Sequence, residues 1–176
     1  MVGVQGCDSE LAQLCVIDFN TRKVLINTLV EPYRSVLDWR TRFSGINSTD
    51  MALAKASHST LRGWTEARSE LFKHVDHATV LVGHTLQHDL KALHMVHDHI
   101  VDTAIVTRQA ITANNKRCWA LRTLCSELLD PDIQSHGSKG HDYLEDTFAA
   151  REVLLFCLRE RQKLERWAQK KRIEID

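Results

Sequence analysis

Asp89, Asp146 and His141 are the residues whose type and placing suit chemistry. Asp89 lies in the first turns of the helix that follows the apolar run 79–82, and open α/β sheets gather ligands at the carboxyl ends of their strands. Asp146 falls in the first turn of the last helix, five residues beyond His141, which ends the loop 134–141 with its two glycines. A carboxylate so placed either meets a ligand or complements a helix N-terminal dipole, an interaction of about 0.3–1 kcal/mol at a surface. Taken singly, each aspartate admits both readings, and His141 alone reads as a solvated loop histidine. The other histidines raise a zinc site, because His84 and His88 stand four apart and His94 and His97 three apart. No glutamate separates His84 from His88 as a metalloprotease helix requires, and no third ligand is evident. Surface or hydrogen-bonded histidines are the expectation.

The elements that must position these residues follow from the apolar pattern. Segments 10–19 and 23–30 flank the turn Asn20-Thr21-Arg22 and predict a hairpin. Glu31-Pro32 ends it, and 38–46 is a structured loop mixing Arg40, Arg42, Trp39 and Phe43. Such aromatic residues either stack on unpaired bases or plug the core, and both readings stand. Ser48-Thr49-Asp50 caps a helix to about Ser57, and 65–77 predicts a second with Leu71, Phe72 and Val75 inward. Then come a buried strand at 78–82, a helix carrying Leu86, Leu90, Leu93 and Val96, and a strand at 99–106. A helix at 119–129 with Leu121, Leu124 and Leu128 on one face, and a long helix at 143–172, complete an α/β chain. The basic positions from Arg159 to Arg172 read as a solvated helix end beside a C-terminal dipole, with nuclear import or RNA contact by Lys170-Lys171-Arg172 as the other reading.

Composition narrows the classes. The 176 residues are 43% hydrophobic and 26% charged, which excludes a disordered or fibrous chain. Lys+Arg 23 against Asp+Glu 23 gives no net charge, so any nucleic-acid contact has to rest on a local groove. The five cysteines are odd in number and lack a C-x-x-C pair, which points to a reducing compartment. No apolar run is long enough to span a bilayer, and no membrane partner is expected.

Four stretches carry a resemblance. Val82-Gly83-His84-Thr85-Leu86-Gln87-His88-Asp89-Leu90 resembles a V-G-H-S-L-x-x-D-L motif, and Gly140-His141-Asp142-Tyr143-Leu144-Glu145-Asp146 resembles G-H-D-x-x-x-D. The loop from Arg40 to Ile46 is similar to R-T-R-x-S-G-I, and Val101-Asp102-Thr103 to V-D-T. Together, in this order and spacing from Met1 to about Leu158, they resemble the DEDDh 3′→5′ exonucleases of the RNase H-like superfamily, in their RNA exonuclease 4 group. The resemblance implies an RNase H-like mixed central sheet flanked by helices, with an exonuclease domain over 1–158 and a helical extension over 159–176. It implies that Asp89 and Asp146 are metal ligands for Mg²⁺ or Mn²⁺ and that His141 is the general base. Hard oxygen ligands suit two such ions about 4 Å apart, and an imidazole takes a proton from water near neutral pH. Arg40, Arg42, Phe43, His84 and Leu86 are then nucleic-acid contacts. The resemblance further implies an RNA 3′ end, as in rRNA processing, or single-stranded DNA as substrate, a nucleoside 5′-monophosphate as product and a nuclear or nucleolar compartment.

One motif departs. The family's first strand carries D-x-E, read as D-C-E-M-V-G-V, whereas this chain starts Met1-Val2-Gly3-Val4 and so matches only its tail. Two of the four acids are absent, Asp8 and Glu10 have no reason to replace them, and the first strand is expected as a stub. Low turnover is the expectation, and a nuclease-fold nucleic-acid-binding or scaffolding protein that has lost catalysis is the alternative.

Overall fold

β-Branched and apolar residues near the N-terminus assemble the first ladders. The computed structural model describes residues 1–111, 117–129 and 143–175, the side chains of residues 7, 8, 43 and 175 apart. β1 (Val2–Val4) is buried at all three residues and pairs antiparallel with β2 (Cys7–Glu10) on one side and β5 (Val36–Asp38) on the other. β3 (Gln13–Ile17) and β4 (Val24–Glu31) form the expected hairpin, with Leu14 opposite Thr28 and Val16 opposite Ile26. Its turn is fixed by Asp18, whose Oδ1 accepts from the backbone N–H groups of Asn20 and Thr21 and from the Thr21 hydroxyl, while Arg22 takes φ 64. The expected first strand is split, since Glu10 belongs to β2 and the buried pair Leu11 and Ala12 separates it from β3. β6 (Thr60–Arg62) joins β4 in parallel, and β7 (Leu81–Gly83) pairs in parallel with β8 (Ile100–Asp102). Parallel and antiparallel pairs thus coexist, with the strands divided among three ladders.

Eight helices pack on these ladders among the described residues: α1 (Thr41–Ser44), α2 (Ser48–Ala56), α3 (Gly63–Leu71), α4 (Gln87–Ala92), α5 (Thr103–Ile111), α6 (Leu121–Leu128), α7 (Tyr143–Arg159) and α8 (Arg161–Ile175). Asn47 caps α2, its side chain accepting from Asp50 N at 2.9 Å while Asp50 accepts from Asn47 N at 3.4 Å. That reciprocal pair satisfies two donors at a helix start and sits one residue ahead of the expected cap.

Several sequence expectations need correction. The helix expected over 65–77 ends at Leu71, so Leu71 and Val75 are buried but Phe72 is 52% exposed. The next ends at Ala92, and His94 at φ 49 turns the chain away, leaving Val96 90% exposed. The strand expected over 99–106 lasts three residues, because the Asp102 carboxylate accepts from Ala104 N at 2.9 Å and starts α5 there. The long C-terminal helix is interrupted at Glu160, which lets α8 fold onto α5. Trp167 and Ala168 of α8 join Ile111, Trp119, Leu124, Leu128 and Val153 in one apolar cluster. Arg159, Arg161, Lys163, Arg166 and Lys170 of the tail are exposed, as the solvated reading expects, whereas its last two cations are employed in the fold. Lys171 is buried between Glu127 and Glu174 at 2.8 Å from each, and Arg172 donates to the carbonyls of Ala110 and Ile111 at the end of α5.

One carboxylate sets the turn after β7. Asp102 is 6% exposed, and its two oxygens accept from Thr85 N at 2.9 Å, Leu86 N at 2.8 Å and Ala104 N. Thr103 Oγ1 adds a bond to Gly83 O at 3.1 Å. The end of one strand is thus tied to the start of the helix after the other. Asp102→Ala would leave several donors unpaired in a part-buried site, and the expected loss of unfolding free energy in urea titration is about 3–5 kcal/mol. Asp102→Asn, which keeps one acceptor oxygen, should cost less.

The backbone between β6 and α3 depends on a glycine. Gly63 has φ 62, and a Cβ built there would lie 2.1 Å from a ring carbon of Tyr33. The Tyr33 hydroxyl is itself held by Arg62 O at 3.2 Å and by the Thr65 hydroxyl. Gly63→Ala therefore combines left-handed strain with a clash that the anchored ring cannot easily relieve. Thermal unfolding should record a loss of about 2–4 kcal/mol.

Candidate active site

The turn held by Asp102 launches α4, and α4 places Asp89 in its first turn. At this place the chain N-terminus, α1 and α7 meet. The Met1 ammonium lies 3.4 Å from the Tyr143 hydroxyl at the start of α7. Burial lowers the ammonium pKa; the Asp89 charge works against that and the Arg40 charge with it. Arg40 approaches from the other side, its Nε 3.6 Å from where a Cβ on Gly3 would stand. Burial likewise pushes the Tyr143 hydroxyl up to about 12, reinforced by the charges of Asp146 and Asp89 and opposed by a hydrogen bond with Ser44. A tyrosine so shifted stays a neutral donor throughout the physiological range.

The Asp89 carboxyl pKa is raised, chiefly because surrounding protein strips water from it. The N-terminal charge and His88 oppose that rise, and Asp102 adds to it. The residue nevertheless keeps an exposed surface, so the carboxylate is open to solvent rather than sealed in the core. Asp146 is half-buried on α7. His84, also half-buried, has Nδ1 2.9 Å from Thr103 Oγ1. Thr103 Oγ1 in turn reaches Gly83 O at 3.1 Å, and a second hydrogen bond joins His84 to the Trp119 backbone. Burial lowers the His84 pKa, with Asp102, the Trp119 backbone and Asp146 opposing.

The structure therefore brings Asp89, Asp146, His84 and Arg40 into one neighbourhood. Leu86 serves that turn structurally, donating its N–H to Asp102 and packing over Gly83, where an added Cβ would stand 2.6 Å from Leu86 Cδ1. Arg42 is exposed on the last turn of α1. His141 and the Phe43 side chain lie outside the described residues. Sequence reasoning gave Asp102, quoted within the V-D-T stretch, no role of its own, and passed over Tyr143. An Asp closing a strand directly before a helical Thr was the available signal for Asp102, whereas nothing in the sequence marked the burial of Tyr143.

The loop carrying Arg40 is tightly held. Arg40 takes φ 48 and ψ 37, with its N–H on Asp38 Oδ1 at 2.8 Å. Ser44, 1% exposed, donates to Trp39 O at 2.6 Å and accepts from Ile46 N at 3.2 Å, while the Thr41 hydroxyl donates to Ile46 O at 2.9 Å. Glu10 is employed elsewhere, accepting from Tyr33 N at 2.7 Å and pairing with Arg34, so it is not available to the acidic pair. Three other histidines have local tasks: His94 stacks on Trp64, His97 bonds Thr79 O and His99 bonds His77 O. Asp89 and Asp146 offer the hard oxygen donors that suit Mg²⁺ or Mn²⁺. Among the described residues no group of three or more His, Cys, Asp or Glu side chains gathers to hold a metal, so two carboxylates supply only part of a coordination shell.

Known proteins place this arrangement. Residues 1–154 match the RNase T exonuclease family. RNA exonuclease 3 of Candida albicans is 30% identical over 153 residues, 86% of this chain and 35% of that protein, and the RNA exonuclease 3 of Eremothecium gossypii is 35% identical over 151 residues, 85% and 36%. The human RNA exonuclease 1 homolog is 32% identical over 157 residues, 89% of this chain and 12% of that protein. The chain thus spans little more than a third of the length of these curated relatives, or less. Among solved structures, the Pan2 pseudoubiquitin hydrolase and RNA exonuclease module of Saccharomyces cerevisiae in complex with AACCAA RNA superimposes with a TM-score of 0.77 at 24% identity, covering 98% of this chain and 30% of that one. The α/β class and the RNase H-like fold are therefore as expected from the sequence. With a family match that runs through the Asp89 turn and the start of α7, this chain belongs to the RNase T exonuclease family.

Proposed function

We propose that this domain hydrolyses RNA, with single-stranded DNA as a second substrate, from the 3′ end with Mg²⁺ or Mn²⁺, releasing nucleoside 5′-monophosphates. The convergence of Asp89 and Asp146 beside Tyr143, at the edge of the loop carrying Arg40, supports this reading most directly. The relatives' names and the RNA bound to the Pan2 module support RNA as substrate. Asp89 and Asp146 are the residues that would hold the ions, which when bound activate water and stabilise the departing 3′ oxygen. His141 takes the proton from the attacking water, Arg40 meets the phosphate backbone, and Arg42, Phe43, His84 and Leu86 line the path of the terminal nucleotides. Residues 1–176 hold two of the four acids, so on this reading these residues alone turn RNA over slowly. Joining a segment that ends in Asp-Cys-Glu ahead of Met1 raises the rate.

The decisive assay follows 5′-labelled single-stranded RNA in Mg²⁺, with EDTA as control. The expected result is slow shortening from the 3′ end by residues 1–176 and robust, EDTA-sensitive shortening by the extended protein. Internal cleavage, or no shortening by either protein while both remain folded, would overturn the reading in favour of a binding protein. In the extended protein His141→Ala should lower the rate by about 10²–10⁴-fold while His136→Ala leaves it nearly unchanged. Equal damage by both would assign the base elsewhere.

Asp89 also makes a stability prediction. Its carboxyl pKa is higher in the folded chain than the ordinary value of 3.8, so its contribution is fully present below that value and is lost as pH rises through the folded pKa. At neutral pH the unliganded carboxylate opposes folding. Asp89→Asn should raise the melting temperature of the metal-free protein at pH 7 and leave it nearly unchanged at pH 3. It should also reduce the further rise that Mn²⁺ gives the wild type. A variant that melts lower at pH 7, with an undiminished Mn²⁺ response, would remove Asp89 from the metal site.

A further inference from the structure

The left-handed Arg40 separates two neighbours. Arg40 turns towards Gly3, Met1 and the acidic pair, whereas Trp39 packs half-buried against the cluster of Val2, Val4, Ile46 and Met51. The exposed side of Trp39 lines a second cleft of about 310 Å³, walled by Pro32, Val36, Met51 and Ala52. That volume is at the small end of ligand cavities, with room for one flat ring system. Arg34 and Lys55 stand at its rim, each half-exposed and each paired with a glutamate, Glu10 and Glu31. Neither the exonuclease family match nor the sequence motifs assign this cleft a role.

We infer that the cleft beside Trp39 is a base-binding subsite for single-stranded RNA, taking a nucleotide upstream of the 3′ end that lies at Asp89 and Asp146. The inference rests on the proposed RNA reading and adds a second anchoring point to it. Continuity carries it: Trp39 and Arg40 are consecutive residues, held together by Asp38 Oδ1 on Arg40 N and Ser44 Oγ on Trp39 O. The cleft therefore begins one residue, about 3.8 Å of backbone, from the Arg40 proposed to meet the phosphate chain. The chemistry agrees. An indole face with apolar walls stacks a base whatever its identity, and the ribose and phosphate stay outside near Arg34 and Lys55. Because each rim cation is paired with a carboxylate, the cleft has no net charge with which to select a strongly acidic or basic peptide. Stacking, rather than charge, holds its occupant.

The test uses fluorescence anisotropy of 5′-labelled single-stranded RNAs in Ca²⁺, comparing a dinucleotide with an octamer. Trp39→Ala should weaken the octamer by about 5- to 100-fold and leave the dinucleotide unchanged, and Trp39→Phe should restore most of the loss. Since Trp39 also touches the core, a second arm leaves the protein intact. Removing single bases from the octamer should weaken wild-type binding at one upstream position by a similar factor, and the same removal should cost the Trp39→Ala protein little. Octamer affinity that is indifferent both to Trp39 and to every upstream base overturns the subsite and leaves the cleft to an apolar peptide. Wild-type protein that binds neither RNA would instead bring down the RNA reading itself, and the subsite with it.

Discussion

A carboxylate that is 6% exposed must find donors for its oxygens, and Asp102 finds them in the backbone of Thr85, Leu86 and Ala104. A buried anion left unpaired costs far more than a mispacked methyl group. The bonds of Asp102 therefore fix several things together: the end of β7, the left-handed Thr85, the direction in which α4 departs and the start of α5. Asp89 is aimed by that direction. His84 is held by the same construction, because its Nδ1 meets the hydroxyl of Thr103, next in sequence to Asp102, which also reaches Gly83 O. The site is thus built outward from one buried aspartate that need not touch substrate.

A second rigid point faces the first. Ser44 ties Trp39 to Ile46, and Asp38 holds Arg40 in a conformation that non-glycine residues rarely take. Backbone strain of this kind costs of order 1–3 kcal/mol and persists where neighbouring contacts over-determine it. Tyr143 joins the two points, packing against the N-terminal cluster while its hydroxyl meets Ser44 and the Met1 amine. Asp89 lies next to the turn set by Asp102, and Tyr143 links it to the loop set by Ser44, so its surroundings are fixed before any ligand arrives. In such a site the electrostatic strain falls on the carboxylates, as the raised Asp89 pKa shows.

The C-terminal helix contributes at longer range. Lys171, with Glu127 and Glu174, and Arg172 on the last carbonyls of α5 fasten α8 across α5 and α6. Trp167 fills the space against Trp119, with ring centroids 5.7 Å apart, and donates to Glu127 at 2.7 Å. Since α5 starts at Asp102, the support given by α8 passes to the turn that positions Asp89. Lys171 and Arg172, which read as the end of a solvated basic tail, are in this way part of the scaffold.

The sequence by itself determined the family, the α/β class, the hairpin, and the two stretches that carry Asp89 and Asp146, because motif spacing and apolar period are local properties of the chain. It also placed Leu124 and Leu128 on a buried face of α6. The tertiary structure decided where helices stop and which polar groups they serve. Phe72 and Val96 continue an apolar pattern yet stand in solvent, because α3 and α4 end before them. Asp102 looked like one more acid in a short motif, and only the approach of two parallel strands made it the acceptor for a distant turn. Lys171 and Arg172 looked like free cations until the break at Glu160 laid α8 on α5. Periodicity reports how often apolar side chains recur along one element. It carries no information about which carbonyl or carboxylate another element will bring within 3 Å, and that proximity gave each of these polar residues its role.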